Sequence, residues 1–205
     1  MSRGGTLFVV AAPSGAGKTS LVKKLLATTP DVVVSVSHTT RPMRPGEQDG
    51  VDYHFVSVDE FEKMVEDAAF LEHALVFDRY YGTSEAQVRK NLAEGRDVIL
   101  EIDWQGARQV RKLVENCVSI FILPPSRDVL EQRLRSRAQD SEEVIARRTR
   151  EAIGEMEHYA EFDYLLVNDD FDKTLEAFRC IVSGERLRTV NHVEKIRDLI
   201  SNLLK

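Results

Sequence analysis

The apolar run Leu7–Ala12 passes directly into Ala12-Pro13-Ser14-Gly15-Ala16-Gly17-Lys18-Thr19. This nearly reproduces the pattern G-x-x-x-x-G-K-[ST], in which a strand feeds a glycine-rich turn and then a helix. No other feature of the chain restricts its fold so strongly. Gly15 and Gly17 let the backbone curl with its N–H groups pointing inward at phosphate oxygens. The helix that follows adds the positive end of its dipole. Lys18 can reach the β- and γ-phosphates of a bound nucleotide, and the Thr19 hydroxyl can ligate Mg²⁺. Ala12 stands at the first glycine of the pattern, which is tolerable where that position needs no positive φ.

The rest of the chain supplies the framework such a loop needs. The runs Thr6–Ala11, Val32–Val36, Val98–Ile102, Val118–Leu123 and Asp163–Val167 are rich in Val, Ile, Leu and Phe. They mostly lack clean alternation, as strands buried on both faces of a parallel sheet do. Helical patterns fall between them, at Thr19–Ala27, Ser84–Glu94, Gly106–Glu115, Ser126–Arg137, Ser141–His158 and Asp172–Arg188. The second opens on a capping box of Ser84 and Gln87 and ends at Gly95. Strands alternating with helices predict an α/β domain with a parallel sheet and helices on both faces. At 205 residues this is one domain with small inserted pieces.

Two stretches break the alternation. His38–Tyr81 contains the loop Arg41-Pro42-Met43-Arg44-Pro45-Gly46 and strand-like runs at Tyr53–Val56 and Phe70–Phe77, so it reads as an inserted β-rich subdomain. Arg133–Arg150 holds six Arg against three acids in a chain of net charge −6, and reads as a two-helix hairpin with a mobile tip. A last helix, His192–Leu204, carries Val193, Ile196, Leu199, Ile200 and Leu203 at helical spacing. It packs either on the core or on a second copy of the chain, so a homo-oligomer stays open.

Net charge −6 excludes a generic basic nucleic-acid coat and argues against polybasic membrane docking. Leu7–Ala12 is far too short for a membrane span or a signal-peptide core, so a cytoplasmic protein is expected. Cys117 and Cys180 have no metal-ligand spacing and read as structural thiols of a reducing compartment.

A phosphate loop specifies a nucleotide and leaves the reaction open. Val98–Asp103 ends an apolar run in two acids, Glu101 and Asp103, which a period of two puts on one face. Asp103 is the candidate to hold a metal ion or its water. Arg41 and Arg44 offer guanidinium forks to a second phosphate, and Tyr53 and Tyr81 could each donate an O–H to it. Glu72 is a charge amid apolar neighbours. A carboxylate can accept two N–H groups at once, which guanine presents at N1 and N2 and adenine does not.

Pro13–Lys18, Ser35–Arg41, Tyr80–Ser84, Asp103–Gly106 and Val167–Asp170, taken together and in this order, resemble guanylate kinase, most closely the bacterial form. The resemblance covers roughly residues 5–188. It implies transfer of the γ-phosphoryl group of ATP to GMP, with Mg²⁺. It also implies a P-loop NTPase core (1–36, 82–132 and 151–205), a GMP-binding subdomain (37–81) and a helical lid (133–150) within one domain, 1–205. ATP would lie on Ala12, Pro13, Ser14, Gly15, Ala16, Gly17, Lys18, Thr19 and Ser20, with Asn168 near the adenine. GMP phosphate would be held by Arg41, Arg44, Tyr53 and Tyr81. Guanine would be read by Ser37, Glu72 and Thr83 beside Gly82, with Glu101 and Asp103 nearby. Arg133, Arg137 and Arg148 would reach the phosphates. Lys18, Arg44, Arg137 and Arg148 would be the catalytic cations, and Thr19 and Asp103 the metal site.

The sequence departs from that pattern at three places. Ala12 replaces the first glycine, Glu101 stands where Asp is frequent, and Ala138 follows Arg137 where Gly is common. A GMP phosphate is already anionic near pH 7 and needs no general base, so none of the five histidines is assigned a role. Two rival readings are a kinase for another nucleoside monophosphate and a catalytically inactive binding module of the same fold. The guanine-directed Glu72 opposes the first, and the intact phosphate loop opposes the second.

Overall fold

The computed structural model describes residues 4–76, 78–136 and 142–205. In chain order its elements are β1 (Leu7–Ala11), α1 (Lys18–Thr28), β2 (Val32–Val34), β3 (His38–Thr39), β4 (His54–Phe55), α2 (Val58–Glu66), β5 (Phe70–Val76), β6 (Arg79–Ser84) and α3 (Glu85–Ala93). Then follow β7 (Asp97–Glu101), α4 (Trp104–Leu113), β8 (Val118–Leu123), α5 (Arg127–Ser136), α6 (Glu142–Met156), β9 (Tyr164–Val167), α7 (Phe171–Leu187), α8 (Thr189–His192) and α9 (Arg197–Leu203). Arg137 and Ala138 lie outside the described residues.

The five strands expected from apolar runs form one parallel sheet in the order β2-β7-β1-β8-β9. Strand β1 is central and wholly buried. Phe8 and Val10 face a core layer built with Leu21 and Leu25 of α1 and Phe178 and Val182 of α7. Leu7 and Val9 face the opposite layer, with Val88 of α3 and Val110 of α4. Both faces being apolar is why the strand shows no alternation. Burying each such side chain contributes about 1.5–3 kcal/mol, so the strand that delivers the glycine-rich loop is firmly held.

The stretch 38–84 forms a second sheet in the order β4-β3-β6-β5, and β6 runs on to Ser84. It also contains a helix that the β-rich reading passes over. Helix α2 starts on a complete capping box, in which Ser57 accepts from the Glu60 N–H and the Glu60 carboxylate accepts from the Ser57 N–H. At Ser84 only half of the expected box exists: Ser84 Oγ accepts from the Gln87 N–H, while Gln87 Oε1 is buried without a partner. A register shift in β5 between Phe70 and Glu72 buries the adjacent Leu71 and Glu72 together. Such a bulge re-aims side chains that a regular strand would send to opposite faces. Leu71 joins the core layer beneath α3 and α4, tying the small sheet to the large one. The last helix is not continuous: α8 and α9 are separated by a 3₁₀ turn, and Leu199 and Leu203 stay exposed.

Asp97 opens β7 and holds three segments. Its Oδ1 accepts the buried Thr6 N–H at 2.7 Å, and its Oδ2 pairs with Arg186 Nε of α7 at 2.6 Å. Asp97→Ala leaves that amide without its acceptor and the Arg186 guanidinium with only the Pro30 carbonyl, so urea unfolding is expected to show a loss of about 2–4 kcal/mol. A loss below about 0.5 kcal/mol would show that the junction holds nothing together.

Candidate active site

The loop after β1 turns through Gly15 (φ 91°) and Gly17 (φ 94°), both in the left-handed region. Ala12 is not among the positive-φ residues, which explains why a methyl group is accepted there. Gly17 caps α1 without any side-chain bond. The loop carbonyls turn outward and are satisfied from behind. Asn168 Nδ2 donates to the Ala16 carbonyl at 2.7 Å, and Arg133 donates to the carbonyls of Asn168 at 3.1 Å and Ala16 at 3.5 Å.

Asn168 is 4% exposed and its amide is engaged by the loop. Arg133 likewise braces the loop from behind. Ser20 is exposed on α1.

In front of the loop lies an open cleft with a cavity volume of about 230 Å³. Lys18, Thr19, Ser37, Tyr53, Glu72, Tyr81, Glu101 and Asp103 all border it. Residues from six separate stretches therefore converge on one cleft. Lys18 Nζ donates to the Ile102 carbonyl at 2.9 Å. Thr19 Oγ1 donates to Glu101 Oε2 at 3.0 Å. The strand itself stops at Glu101. Asp103 is the N-cap of α4, accepting from the Gly106 N–H at 2.9 Å, yet it still borders the cleft. The hydroxyl–carboxylate pair that the structure assembles is thus Thr19 with Glu101.

Glu72 is 3% exposed, and Thr83 donates to its Oε1 at 2.5 Å. Its Oε2 lies against Gly106, where any Cβ would fall inside van der Waals contact. Burial pushes the Glu72 carboxyl up to about 7, the Thr83 hydroxyl opposing and Asp103 adding to the rise. Gly82 sits behind, packed on Phe70 and Phe61. Burial also pushes the Tyr53 phenol up to about 12, with Tyr81 and Glu101 reinforcing, so it stays an O–H donor across the working pH range. Tyr53 and Tyr81 meet edge to face at 5.9 Å.

Arg41 stands over Tyr53 at 5.3 Å from the ring centre. Its guanidinium pairs with Glu47 Oε1 at 2.7 Å, and Glu47 Oε2 accepts the Arg44 N–H at 2.7 Å. The Arg44 side chain is exposed. Arg148 lies on α6 and does not border the cleft.

Two carboxylates escape the sequence reading. Glu47 closes the arginine loop. Glu155, near the end of α6, accepts the Ser14 N–H at 3.2 Å. Neither contact has a sequence signal, apart from helical spacing that puts Arg148 and Glu155 on one face of α6.

A parallel sheet ending in this loop, with a buried acid facing it across one cleft, defines a P-loop phosphotransferase. The family profile described as guanylate kinase matches residues 4–185. Guanylate kinase of Methylococcus capsulatus is 62% identical over 200 residues, covering 98% of each chain. That of Saccharophagus degradans is 58% identical over 204 residues, covering 100% of each. A crystal structure of guanylate kinase from Anaplasma phagocytophilum superposes with TM-score 0.78 at 33% identity, covering 92% of this chain and 89% of that one. The chain belongs to the guanylate kinase family.

Asn168→Ala removes the brace on the Ala16 carbonyl. It is expected to raise KM for ATP and for GTP as donor by the same factor, about tenfold. A loss confined to ATP, seen in paired donor titrations, would return Asn168 to the adenine.

Proposed function

We propose that this chain transfers the γ-phosphoryl group of ATP to GMP, giving ADP and GDP, with the residues around the cleft in the following roles. The observation that carries the reading is the meeting of the glycine-rich loop and the Glu72–Thr83 pair in one cleft. The loop amides and Lys18 take the ATP phosphates. Glu72, ionised, accepts the guanine N–H pair, while Thr83 fixes its other oxygen and Gly106 leaves room beside it. Ser37 adds a hydroxyl. Arg41, Arg44, Tyr53 and Tyr81 take the GMP phosphate, which requires Arg41 to exchange Glu47 for that phosphate.

Thr19 and Glu101 are oxygen donors suited to Mg²⁺, and among the described residues no cluster of three or more acids, His or Cys forms a complete metal site. That fits a cation carried largely on the nucleotide phosphates. Thr19 and Glu101 would hold it, with Asp103 close by, and it would neutralise phosphate charge when bound.

A GMP phosphate oxygen attacks Pγ in line, and the electron pair of the breaking bond leaves on the β-phosphate of ADP. The attacking oxygen already carries charge, so no side chain has to remove a proton. The work is to bring two polyanions together, and Lys18, Arg44, Arg137 and Arg148 offset their repulsion. Residues 133–150 act as a lid that completes this charge only when both substrates are present, which limits hydrolysis by water. Among the described residues no helix is long and apolar enough to cross a membrane. The free thiols Cys117 and Cys180, the latter exposed, suit the reducing cytoplasm.

ADP formation from Mg-ATP is expected with GMP and not with AMP or without an acceptor, and equal rates in all three would overturn the reading. Lys18→Ala is expected to lower turnover at least about 10³-fold with an unchanged melting temperature. Glu72→Gln is expected to raise KM for GMP about a hundredfold and to narrow the preference over AMP. An unchanged GMP/AMP ratio would remove Glu72 from base recognition.

A further inference from the structure

Glu155 is a carboxylate at the phosphate end of the cleft that phosphoryl transfer, as drawn above, does not use. It borders the cleft from near the end of α6 and reaches a loop amide 141 positions away in the chain. Loop N–H groups serve to receive phosphate oxygens. An ionised carboxylate is the nearest protein equivalent of such an oxygen, since it is anionic and only accepts hydrogen bonds. The Ser14 amide is therefore already occupied by an internal anion.

The groups facing Glu155 are mostly unfriendly to its charge. Lys18 of α1 attracts it, while Asp103 at the start of α4 and Glu151 one turn earlier on α6 repel it. Glu72, Glu101, Tyr53 and Tyr81 complete the walls of the same cleft. Burial holds the Glu155 carboxyl up at about 7, against the pull of the Ser14 amide and Lys18. The contact is thus worth little and is easily exchanged for a stronger anion.

The helix it fastens carries Arg148 two turns earlier, on the same face. Beyond α6, a 3₁₀ turn anchors the chain to α4. There Glu161 accepts from Arg108 Nε at 3.0 Å, and His158 stacks on Trp104 with ring centres 3.5 Å apart. Helix α6 also packs on α5, with Ala152 and Met156 against Leu130 and Leu134, so its tie to the phosphate loop is the weak Glu155 contact.

We propose that Glu155 is a positioning residue that fastens α6 to the phosphate loop until a triphosphate displaces it, so that the arginine-bearing helix responds to nucleotide occupancy. This rests on the loop being the ATP site. The wild-type protein, Glu155→Gln and Glu155→Ala would be titrated with tripolyphosphate, with a β,γ-imido ATP analogue and, separately, with GMP. Both variants are expected to bind tripolyphosphate and the analogue on the order of tenfold more tightly, with GMP affinity unchanged within about twofold. The gain is expected to be largest above pH 7 and to fade below it, where the wild-type carboxyl turns neutral and no longer opposes phosphate. Equal or weaker phosphate binding by both variants overturns the proposal. So does a fall in GMP affinity together with a lowered melting temperature, which marks a merely structural contact. Tripolyphosphate binding to none of the three proteins would overturn the reading of the loop itself, and the proposal with it.

Discussion

The hydrogen bonds to the Ala16 carbonyl are the contacts on which the site depends. A loop that turns its N–H groups inward must turn carbonyls outward, and a buried carbonyl without a donor costs about 1–3 kcal/mol. Ala16 is fully buried, so water cannot supply that donor. Asn168 does, from the end of β9, and its own backbone is fixed by its N–H bond to the Leu123 carbonyl of β8 at 2.8 Å. The missing side chain at Gly17 makes room for this, since a Cβ there would collide with the Asn168 amide. The sheet order β1-β8-β9 is thus a condition for the loop as well as for the core.

The second sheet owes its place to one irregularity. Without the bulge in β5, Leu71 and Glu72 would point to opposite faces. With it, Leu71 enters the core layer under α3 and α4 while Glu72 enters the cleft. The neighbouring residues then divide: Leu71 anchors the sheet and Glu72 faces the cleft. Register pairing sets Thr83 opposite Glu72, so the hydroxyl that orients the carboxylate comes from the adjacent strand.

What the sequence makes legible is what local pattern controls. The apolar runs, the glycine turn and the Lys-Thr pair each declare themselves within a few residues. Helix α2 carries both of its local signals, Ser57 and Glu60 at its start and Val58, Phe61, Met64 and Val65 at helical spacing, and the β-rich reading of the stretch passes over them. Asp103 lies past the end of β7, which stops at Glu101, yet it borders the same cleft as Glu101. The role of Asn168 follows from strand order, and those of Glu47 and Glu155 from contacts that no spacing encodes. Cleft residues can be named from the family pattern, whereas their present partners can be found only in three dimensions.

Those partners share a feature. Arg41 is paired with Glu47, the Ser14 amide with Glu155, Thr19 with Glu101 and Lys18 with the Ile102 carbonyl. Each of these four donors is thus held in place by an oxygen of the chain itself. Preorganised donors lose less freedom on binding, yet every internal bond must be exchanged before a substrate oxygen gains anything. Lys18 is the only cation among the described residues bordering the cleft, against Glu72, Glu101, Asp103 and Glu155. A single polyanion entering this cleft therefore meets more negative than positive charge. In the proposed reaction the arginines outside the cleft, the loop amides and Mg²⁺ would offset that charge.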